Sequence, residues 1–330
     1  MKKVLVTGGS GFIAMHVIEQ LWAKNYAVVT TVRSEERKKT MLEFAKQHQK
    51  DLKVVLADLC EDSGWQDATH GVDVVIHAAS PFPDEPVNDE KILIEPALEG
   101  TKRVMQAASK NKVKRLVLVS SIAAVAFGRK DKKDFTNEDW SDIHGEGIDA
   151  YQKSKTLAER FAWDFIKQDE HKSLELVTIN PGLVLGPILG TRVSSSNKII
   201  QKMIRGEYPG SPNIQVAIVD VRDVAVVLTA AISSKNIVGQ RLLLADKNYW
   251  IKDIAQILAK HGYDKVATRQ LPDWIFWVLS LVDRKIKQVC IYLGMEKHYD
   301  CQPAKKLLHW RPTDGQKTIL AAAKDIAKKT

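Results

Sequence analysis

The sequence predicts an α/β protein: a doubly wound parallel sheet followed by a smaller, mostly helical C-terminal lobe. Three observations carry that expectation. Short apolar runs rich in Val and Ile alternate with longer helical stretches through the first half of the 330 residues, the pattern of successive βαβ units. A glycine-rich turn separates the first run from the first helical stretch, which lets the backbone pass tightly from strand to helix. Beyond Pro181 the alternation breaks, and from Tyr249 onward the chain is mostly helical and basic.

Taken in order, the expected strands are Val4–Thr7, Ala27–Val32, Val54–Ala57, Val74–His77, Leu116–Ser120 and Leu176–Ile179. Each is a continuous apolar run, which suits a strand buried on both faces. Helical patterns lie near 11–24, 36–50, 89–111 and 150–168. Two later strands, Gln215–Val219 and Arg241–Leu244, flank a helix around Val221–Ile232. This layout implies a nucleotide-binding domain from 1–180 plus a returning piece at about 213–245, and a substrate lobe from about 181–212 and 246–330.

Composition narrows the function classes. Hydrophobic residues make up 45% and charged residues 27%, a globular balance. The net charge of +9 sits almost wholly beyond residue 246, where sixteen basic residues face eight acidic ones. This is not a uniformly basic coat of the kind expected for non-specific nucleic-acid binding, so no nucleic-acid partner is expected, and the terminal lysines read as a solvated face. Cys60, Cys290 and Cys301 have no metal-ligand spacing, which argues against a zinc site and for reduced thiols. The longest apolar segment, Trp274–Val282, has nine residues, about half a bilayer span. No signal-peptide pattern opens the chain. A cytoplasmic protein without a membrane partner is the expectation, as monomer or homodimer.

The turn after the first strand reads Gly8-Gly9-Ser10-Gly11-Phe12-Ile13-Ala14, a GxxGxxA loop opening a helix. Glycines bring the backbone close to a pyrophosphate, and the helix N-terminus offers it free N–H groups and partial positive charge. Gly8, Gly11, Phe12 and Ile13 are therefore candidate binding residues on a Rossmann-type fold. NAD-binding chains usually end the second strand in an acid that holds the ribose 2′-OH. Here Arg33 occupies that end, with Arg37 one helical turn on. A guanidinium pairs with a 2′-phosphate, so NADP(H) is expected, although Glu35 and Glu36 stand nearby.

The next signal is Tyr151-Gln152-Lys153-Ser154-Lys155. Residues four apart share a helix face, so Tyr151 and Lys155 point into one cleft. About 30 residues upstream, the run Leu116–Val119 ends in Ser120-Ser121, at the carboxyl edge where open α/β sheets bind ligands. A free phenol titrates near 10, and a nearby ammonium or nicotinamide cation favours its phenolate. Lowering the pKa by about 3 units takes roughly 4 kcal/mol. Tyr151 could then protonate a carbonyl oxygen that Ser121 holds in place.

With these motifs the chain resembles the extended short-chain dehydrogenase/reductases. Within them it is similar to the dihydroflavonol reductase-like carbonyl reductases, a group with plant cinnamoyl and flavonoid reductases and microbial ketone and aldehyde reductases. The carriers are TGGSGFIA (Thr7–Ala14), TVRS (Thr31–Ser34), ADL (Ala57–Leu59), HAASP (His77–Pro81), EPALEGT (Glu95–Thr101), VSSIAAV (Val119–Val125), YQKSK (Tyr151–Lys155), INPGLVLGP (Ile179–Pro187), DVRDVA (Asp220–Ala225) and the late Leu307–Pro312. The resemblance implies reduction of a small-molecule aldehyde or ketone with Ser121, Tyr151 and Lys155 as catalytic residues; Ser120 is the alternative serine. It implies Asp58 and Leu59 at the adenine, and Ala78, Ala79 and Ser80 near the nicotinamide ribose. Lys155 would bind the ribose hydroxyls, and Pro181, Gly182, Leu183 and Val184 would present backbone to the nicotinamide amide. Two positions depart from the pattern: Met15 stands where Ser is usual, and His309 where Gly is usual.

Other signals carry less. His16, His77 and His144 make no metal spacing and read as structural or surface residues. Asp220, Arg222 and Asp223 read as a helix cap with a supporting ion pair. Trp274, Phe276 and Trp277 could line a substrate pocket or bury in a core. Rival readings are an NAD-dependent sugar-nucleotide epimerase or dehydratase of the same superfamily, and a non-catalytic NADP-sensing regulator. Arg33 argues against the first and the intact Tyr/Lys pair against the second. Loops near 82–90, 126–148 and 188–212 are expected to shape the pocket.

Overall fold

The computed structural model describes residues 2–81, 89–282, 286–287 and 290–329. Seven strands form one parallel sheet: β1 (Lys3–Val6), β2 (Ala27–Val32), β3 (Lys53–Leu56), β4 (Val74–His77), β5 (Arg115–Val119), β7 (Glu175–Pro181) and β10 (Arg241–Leu244). Their order across the sheet is β3-β2-β1-β4-β5-β7-β10. The chain reverses direction between β1 and β4, and such a reversal opens a crevice at the carboxyl edge.

Why these runs form buried strands is visible in their two faces. In β1, Val4 and Val6 join one core and Leu5 the other. In β5, Val117 and Val119 face the first layer while Leu116 and Leu118 face the second. Both faces are covered by helices, so alternate positions must both be apolar. Helices α1 (Phe12–Ala23), α2 (Glu35–Gln47) and α7 (Val221–Ala231) contribute to the first core. Helices α3 (Trp65–Thr69), α4 (Lys91–Lys110) and α5 (Ala150–Ile166) contribute to the second.

A separate small sheet, β11-β9-β8, combines β8 (Leu183–Leu185), β9 (Gln215–Asp220) and β11 (Asn248–Trp250). The strand expected at Gln215–Val219 thus forms as β9, but it pairs with β8 and β11 and not with the large sheet. The expected return at about 213–245 therefore reaches the large sheet's layers only at α7 and β10. At the end of β9, Asp220 caps α7: its carboxylate accepts the Arg222 N–H at 2.8 Å. Asp220 also pairs with the Arg222 guanidinium at 2.7 Å. Around the small sheet pack α6 (Lys198–Ile204), α8 (Ile251–Lys260) and, after α9 (Asp273–Leu279) and α10 (Gln302–Leu307), α11 (Gly315–Lys328). Their core holds Leu185, Ile218, Ile254, Leu258 and Ile319. A two-residue pair, β6 (Asp134–Phe135) with β12 (His298–Tyr299), ties the C-terminal segment back to the loop after β5.

Two readings of Trp274, Phe276 and Trp277 were open, and neither matches. None of them is buried and none lines the cleft; Trp274 is 65% and Trp277 56% exposed. The seven residues of α9, DWIFWVL, are apolar on every side after Asp273, so packing one side leaves the others in solvent. His309 adopts φ +51°, a left-handed backbone that glycine takes without steric cost.

Candidate active site

The crevice at the carboxyl edge is a cleft of about 1030 Å³. The first-strand turn shapes its phosphate end. Gly8 has φ +70°, and a Cβ on it would sit 3.0 Å from Ala79 Cα; a Cβ on Gly9 would come within 2.0 Å of Thr30 Oγ1. Only glycine lets this loop run between β2 and the end of β4. Gly11 then caps α1 in an extended conformation with no side-chain bond, so the first amides of the helix are left to a ligand. Thr7 fastens the turn to the β4 edge. Its Oγ1 accepts from Ala78 N at 3.1 Å and Ala79 N at 3.0 Å, and lies 2.8 Å from His77 Nδ1. With two donors already arriving, the Thr7 hydroxyl donates to Nδ1. Burial, with the Lys155 charge adding, lowers the His77 pKa to about 3, so the ring is neutral and structural.

At the far end, Arg33 is exposed and Arg37 half-buried. Arg37 donates to Ser10 Oγ at 2.9 Å. Its pKa is lowered by burial and then by the like charges of Arg33 and Arg192. Three guanidiniums that repel one another at a cleft wall fit a dianionic phosphate. The glycine cradle and this cationic end together match the phosphates of a dinucleotide. Asp58 and Leu59 line the wall beside them, with the Asp58 carboxylate accepting from Cys60 N at 2.9 Å.

The reacting end is set by the start of α5. Asp149 accepts from Gln152 N at 2.8 Å, and Gln152 Oε1 accepts from Asp149 N at 2.9 Å, a reciprocal cap. That cap fixes the first turn, which carries Tyr151, with Lys155 one turn later. Tyr151 is hydrogen-bonded to Ser121. Ser121 is also 3.4 Å from Pro181 O and accepts from Ala123 N at 3.1 Å. Lys155 Nζ donates to Val119 O at 3.2 Å.

The acidity of the pair departs from expectation. Burial pushes Tyr151 up to about 12, with the Ser121 bond opposing, and burial takes Lys155 down to about 8. In the protein alone, desolvation therefore outweighs any pull of the ammonium on the phenol. Tyr151 is a phenol at neutral pH.

Ser120 points elsewhere: its Oγ donates to Glu159 Oε2 at 2.5 Å. Glu159 is fully buried and also accepts from Arg241 Nε at 2.6 Å, Asn180 Nδ2 at 2.7 Å and Thr178 Oγ1 at 3.0 Å. Arg241 in turn stacks on Trp140 with 3.7 Å from its guanidinium to the ring centre. This network is the floor under the reacting end.

Every expected site residue lines this one cleft: Gly8, Gly11, Phe12, Ile13, Arg33, Arg37, Asp58, Leu59, Ala78, Ala79, Ser80, Ser121, Tyr151, Lys155, Pro181, Gly182, Leu183 and Val184. The sequence reading missed Arg192, Glu159, Tyr292 and Lys297. Glu159 stands four residues after Lys155, a spacing that could have found it. Tyr292 OH accepts from Gln152 Nε2 at 2.7 Å and donates to Gly147 O at 2.9 Å. No periodicity near 292–297 points to such a contact. Among the described residues no group of three or more metal-ligating side chains occurs, and no helix is long and apolar enough to cross a membrane.

A dinucleotide crevice with a Ser–Tyr–Lys cluster at the sheet's carboxyl edge defines an extended short-chain dehydrogenase/reductase. The chain belongs to the NAD dependent epimerase/dehydratase family, whose model matches residues 4–243. Cinnamoyl-CoA reductase 1 of Arabidopsis thaliana is 35% identical over 264 residues, covering 78% of this chain and 74% of its own. Tetraketide alpha-pyrone reductase 2 of Arabidopsis thaliana is 33% identical over 271 residues, covering 79% and 83%. A solved structure of yeast methylglyoxal/isovaleraldehyde reductase complexed with NADPH matches with a TM-score of 0.82 and 25% identity, over 99% of this chain and 98% of that one.

Proposed function

We propose that this protein is an NADPH-dependent reductase of aldehydes or ketones. The observation that carries the reading is the meeting, in one cleft, of a hydrogen-bonded Tyr151–Ser121 pair with Lys155 and a cationic end made by Arg33, Arg37 and Arg192. The reductase relatives support it. The arginines favour NADPH over NADH, because a second-strand end that holds a ribose 2′-OH would carry an acid.

In this reading the Gly8–Ile13 turn holds the pyrophosphate, and Arg33 and Arg37 hold the 2′-phosphate. Asp58 and Leu59 would hold the adenine. Ala78, Ala79 and Ser80 would flank the nicotinamide ribose, Lys155 would bind its hydroxyls, and the Pro181–Val184 backbone would hold the amide. When bound, the reduced nicotinamide supplies the hydride for the carbonyl carbon. Ser121 donates a hydrogen bond to the carbonyl oxygen and fixes it beside Tyr151. Tyr151, a phenol at neutral pH, gives its proton to that oxygen, and the product is the alcohol. A phenol at neutral pH suits this direction, since reduction consumes a proton. Residues 1–180 with α7 and β10 serve as the cofactor domain, and the small sheet with its helices serves as the substrate lobe.

The test is NADPH oxidation over a panel of aromatic aldehydes, aryl ketones, β-keto esters and α-diketones. Tyr151→Phe should lower kcat by at least ~10³-fold, within the range of general-acid effects, while the NADPH dissociation constant stays within about two-fold. Turnover by Tyr151→Phe within a few-fold of the parent overturns the role of Tyr151. Equal efficiency with NADH overturns the coenzyme assignment.

A further inference from the structure

The substrate side of the cleft holds a second charged group that reduction does not use. Lys297 lines the cleft together with Tyr151, Phe127, Gln152, Tyr292 and Met295. Its Nζ lies 3.9 Å from the centre of the Phe127 ring, 5.8 Å from that of Tyr292 and 6.0 Å from that of Phe135. It donates one hydrogen bond, to Ala126 O at 2.6 Å. An ammonium carries three donors, and among the described residues no carboxylate lies within ion-pair reach of it. The neighbouring Glu296 pairs instead with Lys133, at 3.8 Å.

The charge balance of the walls points the same way. The acids among the described lining residues are Glu36 and Asp58, both at the adenine end. Among the described residues that line the reacting end the charged ones are Lys155 and Lys297; Asp149 and Glu159 act on Tyr151 and Lys155 from behind that lining. A desolvated cation without a counter-ion is unfavourable, and burial takes the Lys297 pKa down to about 8. Aromatic rings offset part of that penalty. They leave donors open to the cleft, in the position of a group that a ligand completes. Tyr292 joins this cage to the reacting end: its ring meets Phe127 edge-on at 5.7 Å, and its hydroxyl holds Gln152, the residue after Tyr151.

We propose that Lys297 forms an anion subsite on the substrate side of the cleft, and that the preferred substrates are aldehydes or ketones carrying a carboxylate. The carbonyl sits between Tyr151 and Ser121, and the carboxylate completes the open donors of the caged ammonium. This assignment rests on the reductase reading for the carbonyl half, while the anion half stands on the Lys297 cage alone.

The experiment compares 4-carboxybenzaldehyde and 3-carboxybenzaldehyde with their methyl esters, in NADPH oxidation by the full chain and by Lys297→Met and Lys297→Arg. The parent should favour at least one acid over its ester by ten-fold or more in kcat/KM. Lys297→Met should collapse that ratio at least ten-fold, through KM for the acid, and Lys297→Arg should keep most of it. A parent that prefers the esters, or a ratio unmoved within two-fold in Lys297→Met, overturns the subsite. Benzoate binding, followed by tryptophan fluorescence, separates the two readings because it needs no turnover. Benzoate bound by the parent and weakened ten-fold in Lys297→Met, with no aldehyde reduced, upholds the subsite and overturns the reductase. Benzoate binding indifferent to the substitution overturns the subsite. NADPH binding by Lys297→Met reports that the variant is folded.

Discussion

The two ends of the cleft are built in opposite ways. At the end proposed for the cofactor each wall is one short stretch of chain: the Gly8–Ile13 turn, the Arg33–Arg37 entry to α2, the Ala78–Ser80 edge and the Pro181–Val184 edge. Each follows directly from a strand of the large sheet, so its position is set as soon as the sheet forms. At the substrate end the walls come from remote parts of the chain. Phe127 follows β5, Gln152 lies on α5, and Tyr292 and Lys297 arrive from the C-terminal segment. They are held by single side-chain bonds and a two-residue strand pair. A shared cofactor can thus be read by an inherited edge, while the substrate pocket is free to vary with loop and lobe.

The largest test of this contrast is aimed at the floor between the two ends. Glu159→Ala should cost about 3–5 kcal/mol of stability, because it leaves Arg241 buried without its partner. Urea unfolding measures it, and a loss under 1 kcal/mol would show that the network does not stiffen the reacting end. Next comes the cofactor end itself. The pair Arg33→Ala with Arg37→Ala should raise KM for NADPH by about 10²-fold, since hydrogen bonds to charged groups contribute roughly 1.5–3 kcal/mol each. KM for NADH should stay within about three-fold. A parallel loss with both coenzymes would mean that Arg37 acts through its bond to Ser10.

Tyr292→Phe probes the substrate end. It removes the bonds to Gln152 and Gly147, worth about 1–2 kcal/mol. KM for the carbonyl should rise several-fold with NADPH affinity unchanged, and a fall in NADPH affinity would erase the separation between the two ends. The smallest effect is on pH. Burial lowers both Lys155 and Lys297 to about 8, while the unfolded chain holds these protons up to the ordinary lysine value near 10.4. Above pH 8 the unfolded state therefore binds more protons, so these groups make stability rise with pH between about 8 and 10. The penalty of charging them is fully present below 8. In Lys297→Met the rise should be smaller, as thermal unfolding across that pH range will show; an identical slope would place Lys297 in contact with water.

Much of the large sheet was legible because buried parallel strands need apolar residues on both faces, and Val4–Val6 or Leu116–Val119 can hardly be anything else. The motif residues were legible for a related reason: turn, cap and helix spacing are local, and Tyr151 with Lys155 needs only one helical turn. Gln215–Asp220 shows the limit. Its apolar run announces a strand, but nothing within six residues says which sheet will pair with it. The runs flanking Pro181 show it again, since the chain leaves β7 and within one residue enters β8 of another sheet.

The sequence by itself determined the parallel sheet, the phosphate turn, the arginines that follow β2 and the Tyr–Lys face, because each depends on interactions within a few residues. Tertiary structure alone decided four things. It placed Ser121 at Tyr151 and turned Ser120 to Glu159. It left Trp274 and Trp277 in solvent, and through burial it moved the Tyr151 pKa up where the neighbouring lysine by itself would lower it. It also carried Lys297, from the basic last quarter of the chain, into an aromatic cage beside the reacting end. These depend on which surfaces meet and on how much water they exclude, and neither can be computed from residue spacing.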